Sequence, residues 1–161
     1  KVMPMLYFLM IMAICWNLGS YIFGRLSSIF GNYKRVVIFG SLGVIILLII
    51  LSFISNIPSI YLYILFCTLG FFGAFSVALL SHYQVLFDKE YMGRALSTAN
   101  FFNFGGVFLI QWITGKIIFF MGGNSSGAPL EAYRIAFLFV AILLFISLCI
   151  YMLSNEDKKH F

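Results

Sequence analysis

Five apolar runs, each long enough to cross a bilayer, constrain this chain more than any other feature of its sequence. They cover residues 4–23, 36–55, 60–81, 95–121 and 133–153. At 1.5 Å of rise per residue, about 20 helical residues cross a hydrocarbon core of about 30 Å. Backbone N–H and C=O groups in lipid must form hydrogen bonds within the protein, which only helices and closed β-barrels achieve. The alternating pattern of barrel strands is absent, so each run is expected to be a helix. The sequence therefore predicts an all-α integral membrane protein with five transmembrane helices and a polar tail at 154–161.

The composition excludes a soluble globular domain. Hydrophobic residues make up 63% of the 161 residues and charged residues only 9%, whereas soluble domains carry about 25% charged residues to cover their surface. The net charge of +5 does not indicate nucleic-acid binding, because the basic residues lie at helix ends and not in a stripe. Cys15, Cys67 and Cys149 each lie singly in an apolar run, so we expect buried thiols and neither a metal nor a cofactor.

The basic residues are distributed unevenly between the two membrane sides. Seven fall in the first and third connections and the tail, namely Arg25, Lys34, Arg35, Lys89, Arg94, Lys158 and Lys159, and three fall on the opposite side, namely Lys1, Lys116 and Arg134. Because cytoplasmic loops are enriched in Lys and Arg, we expect the N-terminus outside and the C-terminus in the cytoplasm. The expected location is the cell membrane, of the bacterial inner-membrane type, with lipid as the surrounding partner.

Polar residues within the apolar runs are concentrated in the first and fourth helices. In the fourth, Asn100, Asn103 and Gln111 fall within about 80° of one another at 100° per residue. The first helix contributes Trp16 and Asn17. Intramembrane amides either hydrogen-bond between helices or line a solvated pathway, and both interpretations remain open for these five candidates. The second and fifth helices carry no amide or charge in their middles, so we expect them to face lipid.

The first cytoplasmic connection carries a motif. Gly24 and Gly31 are seven residues apart, and Lys34-Arg35 form a basic pair. This pattern resembles the Gly-x-x-x-Asp-Arg-x-Gly-Arg-Arg loop of the major facilitator superfamily. Ser28 stands at the Asp position and Ile29 at the Arg position, and Asn32 and Tyr33 also depart from basic residues. These departures suggest the worn second copy of that loop, between the family's eighth and ninth helices.

Later segments fit the same register. The segment 88–94 resembles the charged loop before the family's eleventh helix, and residues 132–137 resemble the entry to its last helix. The resemblance implies that this chain is the last five helices, eight to twelve, of a twelve-helix transporter. It also implies that the preceding helices of the same transporter are its partners. The eighth, tenth and eleventh helices would then line a cavity, and the ninth and twelfth would face lipid.

The function that follows is secondary active transport of a small polar solute by alternating access, without covalent chemistry. Amide side chains both donate and accept hydrogen bonds, which suits a polar or zwitterionic solute. We expect one of two roles, a cytoplasmic latch or the setting of topology alone, for seven residues: Gly24, Ser28, Gly31, Lys34, Arg35, Asp88 and Arg94. The alternative is a self-contained five-helix scaffold or assembly subunit. An enzyme is not expected, because neither His82 nor His160 has a catalytic partner at membrane depth.

We predict that Ser28 and Lys158 lie on the same, cytoplasmic side of the membrane. In a cysteine-free background, Ser28→Cys and Lys158→Cys should resist an impermeant maleimide in intact cells and react once the cells are opened, because positive connections are retained inside. Gly123→Cys, in the opposite connection, is the control and should react in intact cells. Labelling of Ser28→Cys and Lys158→Cys from outside would contradict this orientation.

Overall fold

The computed structural model describes residues 2–54, 58–122 and 127–154, without the side chains of residues 2–6. Within these residues the chain forms helices and no β-strand: α1 Val2–Phe30, α2 Tyr33–Phe53, α3 Ser59–Gly73, α4 Phe75–Leu86, α5 Met92–Phe120 and α6 Leu130–Leu153. Because α3 and α4 form one span, five spans are long and apolar enough to cross a membrane. The predicted all-α membrane fold is confirmed. Residues 56–57 of the turn predicted at 56–59, residues 123–126 of the loop predicted at 122–129, and the tail from 155 lie outside the described residues.

The connection between α1 and α2 is much shorter than the apolar pattern predicts. Helix α1 continues to Phe30, seven residues beyond the predicted end at position 23, and α2 begins at Tyr33. Gly31 has a φ of +58°, the left-handed conformation that commonly ends a helix. Asn32 then caps α2, because its side-chain oxygen accepts a hydrogen bond from the Arg35 amide at 3.2 Å. The predicted end is wrong because helical hydrogen bonding continues past the point where hydrophobicity falls.

The third membrane span, predicted as one continuous helix, is divided at Ala74. This residue has a ψ of −3° and separates α3 from α4. Its amide donates to the Phe71 carbonyl at 3.3 Å, and its carbonyl accepts from the Val77 amide at 3.0 Å. Both bonds join residues three apart, so the helix is locally tightened at this point. The Trp16 ring of α1 lies directly against the preceding Gly73, 3.0 Å from the position that a Cβ would occupy there.

Helix α2 lies at the centre of the described bundle and packs on α6, α3, α4 and α1. This corrects the prediction that it simply faces lipid, since nine of its residues are buried, including both of its serines: Val36, Val37, Gly40, Ser41, Ile45, Leu47, Leu48, Leu51 and Ser52. An apolar helix is equally suited to a protein interior and to lipid, so its composition could not decide between the two. Its remaining face is an exposed apolar stripe formed by Phe39, Leu42, Ile46, Ile49, Ile50 and Phe53.

Helix α5 is the least enclosed element. It packs against α6 and, less extensively, against α4, and none of its residues is buried. Helix α5 has the most polar residues in the middle of its span, and it is also the helix least covered by its neighbours in this bundle.

Glycines allow the inner helices to approach closely. A Cβ on Gly19 of α1 would overlap the Phe71 carbonyl oxygen of α3, and a Cβ on Gly40 of α2 would overlap the Phe75 side chain of α4. Gly70 of α3 lies against α1, with its Cβ position 3.1 Å from the Met12 carbonyl oxygen. In membranes, such close backbone approach provides the van der Waals packing that holds helices together.

We predict that Gly19→Ala lowers the thermal stability of the protein in detergent, whereas Gly105→Ala does not. The added methyl group at position 19 must displace the α3 backbone, at a cost of about 1–3 kcal/mol for overpacking. Gly105 lies in a helix with nothing within 4 Å of its Cβ position, so alanine there gains helix propensity. Melting temperatures from circular dichroism would test this, and equal values for the two variants would contradict the proposed close contact.

Candidate functional site

A cleft lined by apolar and polar residues lies between α4 and α5. Its volume is about 900 Å³. Its walls come from α4, from the connection that follows it and from the first third of α5. They comprise Ser76, Leu79, Leu80, Tyr83, Leu86, Phe87, Asp88, Tyr91, Arg94, Ala95, Thr98, Ala99, Asn100, Phe102 and Asn103. The cleft is therefore apolar and aromatic over much of its wall, with neutral polar groups and one charge of each sign.

The cleft runs from the Asp88–Arg94 connection into the membrane. Asn103 is 11 residues beyond Met92, where α5 begins, and this separation corresponds to about 16 Å of helix rise. That depth is about half of a hydrocarbon core of about 30 Å. Measured from the start of α5, the cleft thus extends over a length comparable with half of a hydrocarbon core, and transporters of several folds bind their solutes near the middle of the membrane.

The structure brings together two of the three predicted amides of α5. Asn100 and Asn103 both line the cleft. Gln111 instead lines a separate shallow groove with Trp112, Gly115, Lys116, Phe119 and Phe120. Although Gln111 shares a helix face with the other two, it lies about 12 Å further along the axis than Asn103. At that level α5 has passed the end of α4, which forms the opposite wall.

The two candidates on α1 do not line this cleft. Trp16 is 42% exposed, and its ring covers Gly73 beside the break between α3 and α4. Asn17 is exposed, and its side-chain amide donates to the Ala13 carbonyl of its own helix at 2.8 Å. In this bundle the five candidates therefore do not share one cleft, and their place on a solute pathway stays a prediction. The cleft opens toward the side predicted to be cytoplasmic.

The residues predicted to form one cytoplasmic latch are divided between two places. Asp88 and Arg94 lie at the mouth of the cleft. The Lys34 ammonium instead donates to the Ser154 carbonyl at the end of α6. Gly24 lies within α1, its Cβ position 3.9 Å from Val77 of α4.

The other three residues of the motif have simpler positions. Ser28 and Arg35 are exposed, and Gly31 forms the turn described above. None of these three lines the cleft.

Helices α2 and α6 are antiparallel, and each provides a cation to the C-terminus of the other. Lys34, at the start of α2, binds the end of α6. Arg134, near the start of α6, donates to the Ile54 carbonyl at 2.7 and 3.2 Å and to the Phe53 carbonyl at 3.1 Å. The last carbonyls of a helix lack intrahelical partners and carry partial negative charge. Each cation therefore satisfies carbonyls at one membrane interface.

Sequence reasoning missed these caps, although a signal was present. A cation in the first turn of a helix opposes the dipole of that helix. Lys34 occupies such a position as the second residue of α2, and Arg134 lies just beyond it as the fifth residue of α6. The expectation was a cytoplasmic latch or a topology signal for Lys34 and a topology signal for Arg134, and neither expectation included a cap on another helix.

A buried aromatic cluster adds a second contact between α2, α4 and α6. His82 is 4% exposed, and its Nδ1 atom lies 2.7 Å from the Tyr151 hydroxyl. The Tyr33 ring lies parallel to the imidazole at a centroid distance of 6.1 Å. Because these three residues are far apart in the sequence, no local pattern predicts their contact. The cluster holds the helix ends on the same side as the mouth of the cleft.

Comparison with known families identifies the chain. The family profile for the Major Facilitator Superfamily matches residues 3–161. The chain belongs to the major facilitator superfamily. This match covers all five membrane spans, so the resemblance seen in the first connection is confirmed, while the assignment to helices eight to twelve stays a prediction. No curated protein and no solved structure matches the chain significantly.

We predict that Arg134→Met destabilises this major facilitator protein by about 1.5–3 kcal/mol, the range for hydrogen bonds that involve a charged group. Arg134→Lys should restore only part of the loss, because a single ammonium group lacks the planar fork that reaches two carbonyls. Lys116→Met is the control, since the described contact of this exposed cation is with the Trp112 ring at 4.3 Å. Equal melting temperatures for Arg134→Met and Lys116→Met would argue against the interhelical cap.

Proposed function

We propose that this chain forms part of the translocation bundle of a secondary active transporter that moves a small solute by alternating access. Membership of the major facilitator superfamily supports transport as the general activity. The observation that carries the proposal is the cleft between α4 and α5, which extends along α5 to Asn103. We infer that Asn103 lies near the middle of the membrane, where transporters of several folds bind their solutes.

The proposed path passes along one face of α5. Asn100 and Asn103 present amide groups to the cleft, and each can donate and accept hydrogen bonds with a solute. The five acidic residues, Asp88, Glu90, Glu131, Glu156 and Asp157, all lie outside the middles of the spans. Solute recognition at depth in this bundle would therefore depend on neutral polar groups.

The proposed cycle also requires helices beyond the five membrane spans described here. Helix α5 has no buried residue, so its polar face is available to a second bundle. In alternating access, two bundles rock against each other around a site between them. We infer that the partner bundle consists of the preceding helices of the same transporter and that it forms the opposite wall of the solute path.

We predict that Asn103→Leu impairs transport far more than Ser147→Leu. Loss of one solute hydrogen bond of about 1.4 kcal/mol would weaken binding about tenfold. Ser147 is an exposed residue of α6, remote in sequence from the cleft wall, and it provides a matched polar-to-leucine control. Initial uptake rates should be measured for variants expressed from the complete coding sequence, with membrane levels quantified by immunoblot.

Two outcomes would count against the proposal. One is that Ser147→Leu is the more damaging change at equal expression. The other is that Asn103→Leu leaves both the rate and the concentration dependence of uptake unchanged, because the cleft would then not lie on the solute path.

A further inference from the structure

We propose that the cleft between α4 and α5 selects a neutral amphipathic solute with an aromatic body and an amide or hydroxyl group at one end. This inference rests on the proposed transport function and specifies its substrate class. The amide residues alone led us to expect a polar or zwitterionic solute. The wall of the cleft is not mainly polar, so it favours a different substrate class, one with an apolar part.

The middle of the cleft favours an apolar, flat group. Leu79, Leu80 and Tyr83 line it from α4, and Ala99 and Phe102 line it from α5. Small alanine side chains and aromatic rings in the same wall are suited to contact with a planar ring. Burying such a ring in place of water is favourable by about 25 cal/mol per Å² of apolar surface. A fully hydrophilic solute would lose hydration there without replacement.

The deep end of the cleft has the polar groups. Ser76 lies near the start of α4, and Asn100 and Asn103 lie on either side of Phe102 at the far end of the part of α5 that lines the cleft. Because consecutive spans run in opposite directions through the membrane, these three polar residues approach the same level. Polar groups in a membrane interior need hydrogen-bonding partners. A solute whose own amide or hydroxyl group enters first would provide them.

The charge at the mouth does not favour an ion of either sign. The lining there contains one carboxylate, Asp88, and one guanidinium, Arg94. A mouth of no net charge gives neither an anion nor a cation a general electrostatic advantage. The volume of about 900 Å³ lies at the upper end of the range of about 300–1,000 Å³ for sites that hold drug-sized ligands. The cleft is thus larger than a single small metabolite requires.

The test uses a cysteine reporter inside the cleft. Thr98→Cys is introduced into the protein expressed from its complete coding sequence, with Cys15, Cys67 and Cys149 replaced by alanine, since none of these cysteines lines the cleft. The rate of maleimide labelling is measured in detergent with either N-acetyltryptophanamide or N-acetylglycinamide. Both compounds are neutral diamides, and they differ only in the indole group. Ser147→Cys on α6 is the control reporter.

N-acetyltryptophanamide should slow labelling of Thr98→Cys by about tenfold at ten times its Kd, because the free fraction of the site is then about a tenth. N-acetylglycinamide should have little effect, and the anion N-acetyltryptophan should protect less than the neutral amide. Neither compound should alter labelling of Ser147→Cys. Asn103→Leu should reduce the protection to about twofold at the same concentration, because the Kd is then about tenfold higher.

Equal protection by both diamides, or stronger protection by the anion, would overturn the proposed substrate class. Absence of protection by N-acetyltryptophanamide at concentrations up to its solubility would also overturn it. These failures are separable from failure of the transport proposal. If Asn103→Leu still impairs uptake while the aromatic probe does not protect, transport stands and only the substrate class is wrong.

Discussion

The antiparallel pairing of α2 and α6 is the contact on which the rest of this bundle depends. At one interface Lys34 binds the end of α6, and at the other Arg134 binds the last carbonyls of α2. Where water is scarce, unpaired carbonyls are costly, so these caps fix how far each helix extends relative to the other. The remaining elements are arranged around this pair, since α1, α3 and α4 pack on α2 whereas α5 packs mainly on α6.

This arrangement separates a tightly packed part of the bundle from an open one. Glycine contacts such as Gly19 on Phe71 bring α1 and α3 together, and the His82 cluster joins α2, α4 and α6 at one membrane side. Helix α5 has no comparable glycine contact, because nothing lies within 4 Å of the Cβ positions of Gly105 and Gly106. The cleft forms where these two parts meet. A firm wall facing a less constrained helix suits a site that must open and close during alternating access.

The loop motif of the superfamily has a local structural role in this chain. Gly31 makes the left-handed turn, Asn32 caps α2, and Lys34 caps α6. None of these interactions requires a second bundle. The departures from the family pattern at Ser28 and Ile29 fall on exposed positions of α1. In this loop the motif glycine Gly31 shapes the turn, whereas the α2 cap is provided by Asn32, which stands where the family pattern has a basic residue.

The sequence by itself determined the membrane environment, the number of spans and the family, because hydrophobic length and loop motifs are local properties that do not depend on which helices are neighbours. It also placed Asn100 and Asn103 on one face through helical periodicity. Only the tertiary structure decided that Gln111 lies outside the cleft, that apolar α2 is central, and that Arg134 and His82 join distant helices. These features depend on which helices are adjacent and at what depth, and side chains that are equally stable in lipid and in a protein interior carry no signal of that choice.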